Sequence, residues 1–203
     1  VSLEYAYDAL NNLLSVTDPN MNVTSHAYDA ANRRIRTTNA VGKTMTCAYD
    51  DTGNLKTKTD YNGNVITYGY SPRNLLTTKT YPDGSVVCYT YDGVGNRLTM
   101  ADPTGTTTSV YDSRNRLIST TGPGTKSTIA YTYDTEGNRL TMRNQDGGVT
   151  AYVYDRVNRL TSLANPFNQT IQCRHDPVGY LLQQTNANGT MTSSTYNKRG
   201  QLL

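Results

Sequence analysis

The stretch Tyr91-Asp92-Gly93-Val94-Gly95-Asn96-Arg97-Leu98-Thr99 decides the fold of this chain. Asp92 and Gly95 stand at the first and fourth positions of a type I turn, where these residue types are favoured. The Asp side chain can accept a hydrogen bond from the backbone two residues further on, and Gly adopts a positive φ without steric cost. Tyr, Leu and Thr on either side suit strands. The stretch therefore predicts two antiparallel strands joined by a tight turn.

The same stretch recurs along the whole chain, which makes the protein a tandem repeat. With Tyr91 taken as position 0, equivalent residues follow one another at intervals of 20 to 22 residues. The ten residues at position 0 are Tyr7, Tyr28, Tyr49, Tyr70, Tyr91, Tyr111, Tyr133, Tyr154, His175 and Tyr196. We therefore predict a single array of about ten repeats over residues 1–203, and we expect it to be a piece of a longer polypeptide.

Turn residues occupy fixed positions in every repeat. Position +1 is always Asp, Asn or Ser, and position +4 is always Gly or Asn. The clearest pairs are Asp92 with Gly95, Asp134 with Gly137, and Asp176 with Gly179. The signature returns at +11 and +14, most clearly at Asp102-Pro103-Thr104-Gly105, where Pro supplies the φ that the second turn position needs. The copy that includes Gly122 and Thr125 is slipped by one residue.

These turns predict an all-β fold of short antiparallel strands. They separate twenty strands of about five or six residues each, and no segment has a 3.6-residue period. If the first and fourth turn residues pair, position −2 faces position +7. This register predicts the cross-strand pairs Tyr5 with Leu14, Tyr89 with Leu98, and Tyr131 with Leu140. Because strand twist accumulates, we expect the 21-residue hairpin repeats to form a long antiparallel sheet curled into a spiral or hollow shell.

Composition supports a repeat sheet and excludes several classes of protein. Apolar residues make up 35% of the chain, below the usual share, while 17 Tyr accompany one Phe and no Trp. The net charge of +3 is too small to indicate a nucleic-acid partner, and no apolar run is long enough for a membrane helix. We therefore expect no nucleic acid and no membrane insertion.

The ionisable residues have a structural and a chemical interpretation. Eight Asp residues at +1 could bind Ca²⁺ or pair as acid and base, but their place at turn openings favours capping. Arg residues at +5 (Arg33, Arg116, Arg159) and at +6 (Arg34, Arg97, Arg139) could bind phosphate or glycans, or could pair with Asp at the sheet edge. We favour the structural interpretation and predict no metal site and no cofactor.

A catalytic site would need a nucleophile and a base. Cys173 and His175 offer the best such pair, because residues two apart on a strand point to the same face. However, both stand where other repeats carry Tyr, as does His26, so we interpret them as replacements in an aromatic row and predict no catalytic residue. The repeat aromatics of that row are typified by Tyr89, Tyr91, Tyr131, Tyr133, Tyr152 and Tyr154.

Cys47, Cys88 and Cys173 show no disulfide or metal spacing and are predicted to be free thiols.

Glycosylation patterns of the form Asn-x-Thr occur at three turns. They begin at Asn22, Asn168 and Asn188. Each lies where a turn favours Asn for its backbone geometry, so the turn alone accounts for the residue.

The quoted stretch and its copy at 133–141 resemble the YD-repeat motif of Rhs proteins almost letter for letter. In Rhs proteins and Tc toxins such repeats form a hollow β-spiral shell around a toxic C-terminal domain, and in teneurins they form a barrel on the cell surface. The resemblance implies an architecture of this kind for the present chain. We therefore expect a secreted or cell-surface protein that acts as a shell or scaffold, not as an enzyme. Its partners would be the rest of its own polypeptide and an enclosed toxin domain. The alternative is a surface or fibre protein that binds glycans, or self-associates, through its Tyr-rich repeats.

Overall fold

A computed structural model describes residues 2–124 and 128–203, and within these ranges it contains nineteen β-strands and no helix. The prediction of an all-β fold is confirmed. No membrane-spanning helix is found among the described residues. Thr125, which we placed in the slipped turn, lies outside the described residues.

The chain divides into two units, the first of which is Val1–Gly105. Its ten strands are β1 (Glu4–Tyr7), β2 (Leu13–Thr17), β3 (Val23–Tyr28), β4 (Arg34–Thr38), β5 (Thr44–Tyr49), β6 (Leu55–Thr59), β7 (Val65–Tyr70), β8 (Leu76–Thr80), β9 (Val86–Tyr91) and β10 (Arg97–Asp102). Each of them pairs antiparallel with the next strand in sequence.

The second unit, Thr106–Leu203, is built in the same way. Its strands are β11 (Gly105–Tyr111), β12 (Leu117–Thr121), β13 (Thr128–Tyr133), β14 (Arg139–Arg143), β15 (Val149–Tyr154), β16 (Leu160–Ala164), β17 (Thr170–His175), β18 (Leu181–Thr185) and β19 (Met191–Ser193). Consecutive strands again pair antiparallel. The twentieth predicted strand is reduced to one bridge between Tyr196 and Leu202.

The predicted register across the first turn of each repeat is wrong by two residues. Tyr89 lies opposite Met100 and not opposite Leu98. Likewise Tyr5 lies opposite Val16, and Tyr131 lies opposite Met142. Position −2 therefore faces position +9, which replaces the predicted pairing with Leu14, Leu98 and Leu140.

Two inserted residues account for this shift. The first is the turn residue at +4, whose positive φ makes the loop one residue longer than a two-residue hairpin. The second is the residue at +7, because Tyr91 pairs with Arg97 while Thr90 pairs with Thr99, and Leu98 is left as a β-bulge. The same bulge occurs in all nine hairpins of this kind among the described strands.

Neither unit has a dry hydrophobic core. Among the described residues Thr37, with 4% of its surface exposed, is the only buried one. Within each unit, the contacts between described strands are confined to neighbours in sequence. Each repeat is therefore stabilised by the repeats beside it, as in other quasi-one-dimensional repeat proteins.

Candidate functional site: turn row and tyrosine face

The turn row consists of the residues at +1, +4 and +5 of each repeat. In the repeat of the quoted stretch, the Gly95 N–H donates to the Asp92 carbonyl at 3.3 Å, and the Asp92 N–H donates to the Asn96 carbonyl at 2.9 Å. Gly95 has a φ of 101°. This is a three-residue hairpin loop in which a type I turn is followed by a left-handed residue that forms a bulge. All ten residues at +4 have positive φ.

The Asp at +1 closes this loop with its side chain. Asp92 Oδ1 accepts from the N–H groups of Val94, Gly95 and Asn96 at 3.0, 2.8 and 2.8 Å, and its Oδ2 accepts from Asn96 Nδ2 at 2.8 Å. Such a carboxylate is saturated within its own turn. No cluster of His, Cys, Asp or Glu that could hold a metal ion occurs in the described part of the chain.

The other turn residues predicted from the sequence lie in comparable loops. Asp134 Oδ1 accepts from Gly137 N–H at 2.7 Å, and Asp176 Oδ1 accepts from Gly179 N–H at 2.7 Å. The copy at Asp102 is different, because β10 ends at Asp102 and β11 begins at Gly105, so only Pro103 and Thr104 connect them. There Asp102 Oδ1 accepts from Thr104 N–H at 2.8 Å.

Hydrogen bonds of this kind lower the pKa of Asp50, in the turn at 50–54, and make stability depend on pH. The Asn54 side-chain amide is the main reason why the pKa of Asp50 falls from 3.8 to about 2. A carboxylate with a lowered folded pKa stabilises the fold above its unfolded pKa and loses this contribution as pH falls through the folded value. We therefore expect the urea midpoint to fall between about pH 4 and pH 2. Asp50→Asn, which keeps the capping oxygen, should reduce this fall, and an unchanged pH profile would contradict the assignment.

One turn holds a side chain in a conformation that suits Gly. Met21 has a φ of 64° and is 78% exposed, so its side chain gains little from packing. A left-handed non-Gly residue costs about 1–2 kcal/mol, while the greater flexibility of Gly in the unfolded chain offsets about 0.5–1 kcal/mol of the gain. Met21→Gly should therefore raise the free energy of unfolding by about 0.5–1 kcal/mol in urea titration. Asn20→Gly, in the same turn but without positive φ, should give no gain; an equal gain would refute the assignment.

The tyrosine face consists of the side chains at positions −2 and 0 and their cross-strand neighbours. At position 0 the hydroxyl reaches back to the preceding repeat. Tyr91 Oη donates to the Leu76 carbonyl at 2.8 Å, and Tyr133 Oη donates to the Leu117 carbonyl at 2.8 Å. The same bond is made by Tyr28, Tyr49, Tyr70 and Tyr196. Six of the residues at position 0 thus tie two successive hairpins together.

At position −2 the rings pair with Arg. The guanidinium of Arg139 lies 4.5 Å from the Tyr152 ring and 5.8 Å from the Tyr131 ring, and its Nη2 donates to the Tyr152 hydroxyl at 3.0 Å. Arg97 lies 5.9 Å from the Tyr89 ring. Arg97 and Arg139, both at +6, therefore act as cations over aromatic rings. Tyr154, at position 0, is half-buried opposite Leu160.

The Arg residues at +5 pair with Asp in their own turns. Arg33 and Asp29, Arg116 and Asp112, and Arg159 and Asp155 each approach to 2.7 Å. This is the structural alternative that the sequence favoured. The same guanidinium groups also contact the next repeat, which the sequence did not reveal. For example, Arg116 Nη1 donates to the Asp134 carbonyl at 2.9 Å.

The histidines and cysteines form no catalytic arrangement among the described residues. No hydrogen bond joins Cys173 to His175, and the buried Nδ1 of His175 has no hydrogen-bond partner. The Nδ1 of His26 lies 3.0 Å from Thr37 Oγ1, and burial, followed by the charge of Arg34, lowers the pKa of His26. Cys47, Cys88 and Cys173 are free, as the sequence predicted.

A shallow groove lies on the first unit. Its volume is about 570 Å³, and its lining includes Asp60, Asn64, Tyr81 and Asp83. Lys79 lies beside it and donates to the Tyr81 hydroxyl at 2.7 Å, which raises the pKa of Lys79. The repeat pattern of the sequence does not predict this groove, because this set of lining residues is not repeated along the chain.

The geometry defines a class of protein, a tandem β-hairpin repeat array in which neighbouring repeats within each unit are joined by tyrosine and turn contacts. Two family models match its sequence: RHS Repeat over residues 7–44 and 49–86, and Teneurin YD-shell over residues 100–203. The chain belongs to the YD-shell family of Rhs-type repeat proteins. No curated protein matches the sequence.

Solved structures with a similar fold include components of Tc toxins. The crystal structure of TcdB2-TccC3-Cdc42 has a TM-score of 0.61 at 18% identity, and it covers 99% of this chain and 14% of that chain. TcdB2-TccC3 gives the same values. The Photorhabdus luminescens Tc holotoxin pore has a TM-score of 0.58 at 17% identity, covering 96% of this chain and 14% of that one. At this identity the likeness concerns the fold, and the chain spans a small part of each of these proteins.

Proposed function

We propose that this chain is a wall segment of a secreted bacterial YD-shell protein and that the wall encloses a toxin or other cargo domain of the same polypeptide. In this role the repeats are a non-enzymatic scaffold. The observation that carries the proposal is the row of tyrosine hydrogen bonds between successive hairpins, together with the lack of a dry core among the described residues. Such an array gains its stability along its length, which suits a thin wall.

The chemistry of the described residues supports a scaffold. The turn carboxylates are engaged by their own loops, and the repeated Tyr hydroxyls are engaged by neighbouring repeats. The matches to RHS Repeat and Teneurin YD-shell support the same role. TcdB2-TccC3 is a Tc toxin assembly with this fold, and by analogy the partner of the present repeats is a toxin component.

Protease protection of the cargo in the full-length parent protein tests this proposal. The region outside the repeats should be cut far more slowly in the intact protein than when it is expressed alone. Tyr133→Phe should speed cutting, because it removes a hydrogen bond between repeats, while Tyr154→Phe serves as a matched control. Equal cutting of the intact and isolated cargo would contradict enclosure.

A second candidate function is glycan binding at the groove beside Tyr81. An aromatic ring flanked by carboxylate and amide groups, here Asp60, Asp83 and Asn64, is a suitable surface for a sugar. Binding of a glycan array that is lost in Tyr81→Ala but retained in Tyr61→Ala would favour this function. No binding by the intact chain would exclude it.

A further inference from the structure

Successive repeats meet at two kinds of junction, which are defined by position +5 of one repeat and position +4 of the next and which alternate until the last two, both of the Gly kind. Where +5 is Asn, the following +4 is also Asn; where +5 is the bulkier Arg, Leu or Tyr, the following +4 is Gly. Within the two units the Asn junctions are Asn12 with Asn32, Asn54 with Asn74, and Asn138 with Asn158. The Gly junctions are Arg33 with Gly53, Leu75 with Gly95, Arg116 with Gly137, Arg159 with Gly179, and Tyr180 with Gly200.

The Asn junctions are held by a direct side-chain hydrogen bond. Asn54 Nδ2 donates to Asn74 Oδ1 at 2.9 Å. The equivalent bonds from Asn12 and Asn138 to the next repeat measure 3.1 and 2.8 Å. Each of these donors also bonds the Asp of its own turn, so it is held in place before it reaches the neighbour.

At two Gly junctions, those of Gly53 and Gly200, the same space is used by a larger side chain. Arg33 lies over the Tyr49 ring at 4.5 Å, and its Nη1 stands 3.6 Å from where a Cβ at Gly53 would lie. A longer side chain at Gly53 would therefore meet the guanidinium. At Gly200 the Tyr180 ring and hydroxyl occupy the position of any added side chain.

We propose that these two positions form a matching surface that selects which repeat can follow which. The partner that fits is another YD hairpin: one with Asn at +4 accepts a preceding hairpin with Asn at +5, and one with Gly at +4 accepts a preceding hairpin with Arg, Leu or Tyr there. The backbone ladders cannot make this distinction, because the first hairpin of each repeat has the same register and bulge in all nine described copies. In the alternating part of the array, a shift by one repeat would place Asn against Gly and bulky side chains against Asn, so the correct order is favoured over the shifted one.

This selection concerns order within the array and holds whether or not the array encloses cargo. It is tested by converting one junction in the complete chain to the other kind. Asn54→Arg and Asn74→Gly are made singly and together, so that the double variant reproduces the junction of Arg33 with Gly53. The Asn54→Arg side chain would keep the contact with Asp50, just as Arg33 contacts Asp29 at 2.7 Å.

The readout is amide hydrogen exchange in the turn at 71–75, where the Asn74 N–H donates to Ser71 at 2.9 Å. Each single variant should speed exchange about threefold, as expected for one lost hydrogen bond, and the double variant should return to the rate of the parent. If the double variant accelerates exchange by the product of the two factors measured for the single variants, the two residues do not interact, and the proposal is overturned. Comparing the double variant with the two single variants cancels any intrinsic preference of position 74 for Gly, because that preference contributes equally to Asn74→Gly alone and in the double variant.

The reverse conversion keeps the proposal testable if Asn54→Arg prevents folding. Arg33→Asn and Gly53→Asn together should restore exchange in the turn at 50–54, while either change alone should speed it, since the Arg33 guanidinium lies 3.6 Å from a Cβ at Gly53. If the effects of the two single changes on hydrogen exchange simply combine in this double variant, the proposal is likewise overturned. Cargo protection in the parent protein is a separate measurement, so its failure would leave this result unaffected.

Discussion

Gly137→Val is expected to destabilise the protein by about 1–3 kcal/mol, because a β-branched residue is forced into a left-handed backbone conformation. Gly137 has a φ of 103°, and a Cβ at this position would meet no atom within 4 Å. The cost is therefore backbone strain and not a steric clash. Urea titration of the complete chain measures the loss, and limited proteolysis should place new cleavage sites in the hairpins around residues 134–138.

Gly93→Val is the matched control for this prediction. Gly93 lies in the equivalent kind of turn, has no positive φ, and also has open space around a Cβ. The two substitutions add the same side chain to an exposed loop, so only the backbone conformation differs. A loss of stability in Gly93→Val as large as in Gly137→Val would refute the role of the left-handed residue.

Tyr133→Ala is expected to cost about 2 kcal/mol or more. The substitution removes a hydrogen bond worth about 0.5–1.5 kcal/mol and a cation–π contact worth about 0.5–1 kcal/mol, in addition to half-buried aromatic surface. The bond to the Leu117 carbonyl measures 2.8 Å, and Arg116 lies 4.6 Å from the ring. Because each repeat rests on its neighbours, the loss should spread to the preceding hairpin, where hydrogen exchange should also accelerate.

The hydroxyl contribution is isolated by Tyr133→Phe, with an expected cost of about 1 kcal/mol. Tyr154 occupies the same repeat position, but its hydroxyl has no hydrogen-bond partner among the described residues, so Tyr154→Phe should change stability little. Equal effects of the two Phe substitutions would show that the hydroxyl at position 0 does not join the repeats.

Chemistry between neighbours in sequence was accessible without the structure. The capping of a turn by Asp92 involves residues two to four positions away, so residue type and spacing predict it directly. The same local rules placed the left-handed residues at Asn11, Gly95 and Gly137, where φ is positive. They also favoured Asp as the partner of Arg33, because both belong to one turn.

Contacts between repeats were not accessible in this way. The Tyr91 hydroxyl bonds the carbonyl of Leu76, which lies fifteen residues back in the chain. Which carbonyl it reaches depends on the strand register, and the register depends on the bulge at Leu98. A two-residue error in register misassigned the partners of Tyr5, Tyr89 and Tyr131, since side-chain partners follow from strand alignment.

The sequence by itself determined the repeat, its turns and its all-β class, because each turn is specified within five residues and is copied along the chain. The tertiary structure decided which side chains meet across strands and between repeats. Two bulge residues per hairpin set that alignment, and nothing in the local preference of Leu98 marks it as unpaired. The pairing of Asn54 with Asn74 follows from the same alignment, because only the folded array brings positions twenty residues apart within hydrogen-bond distance.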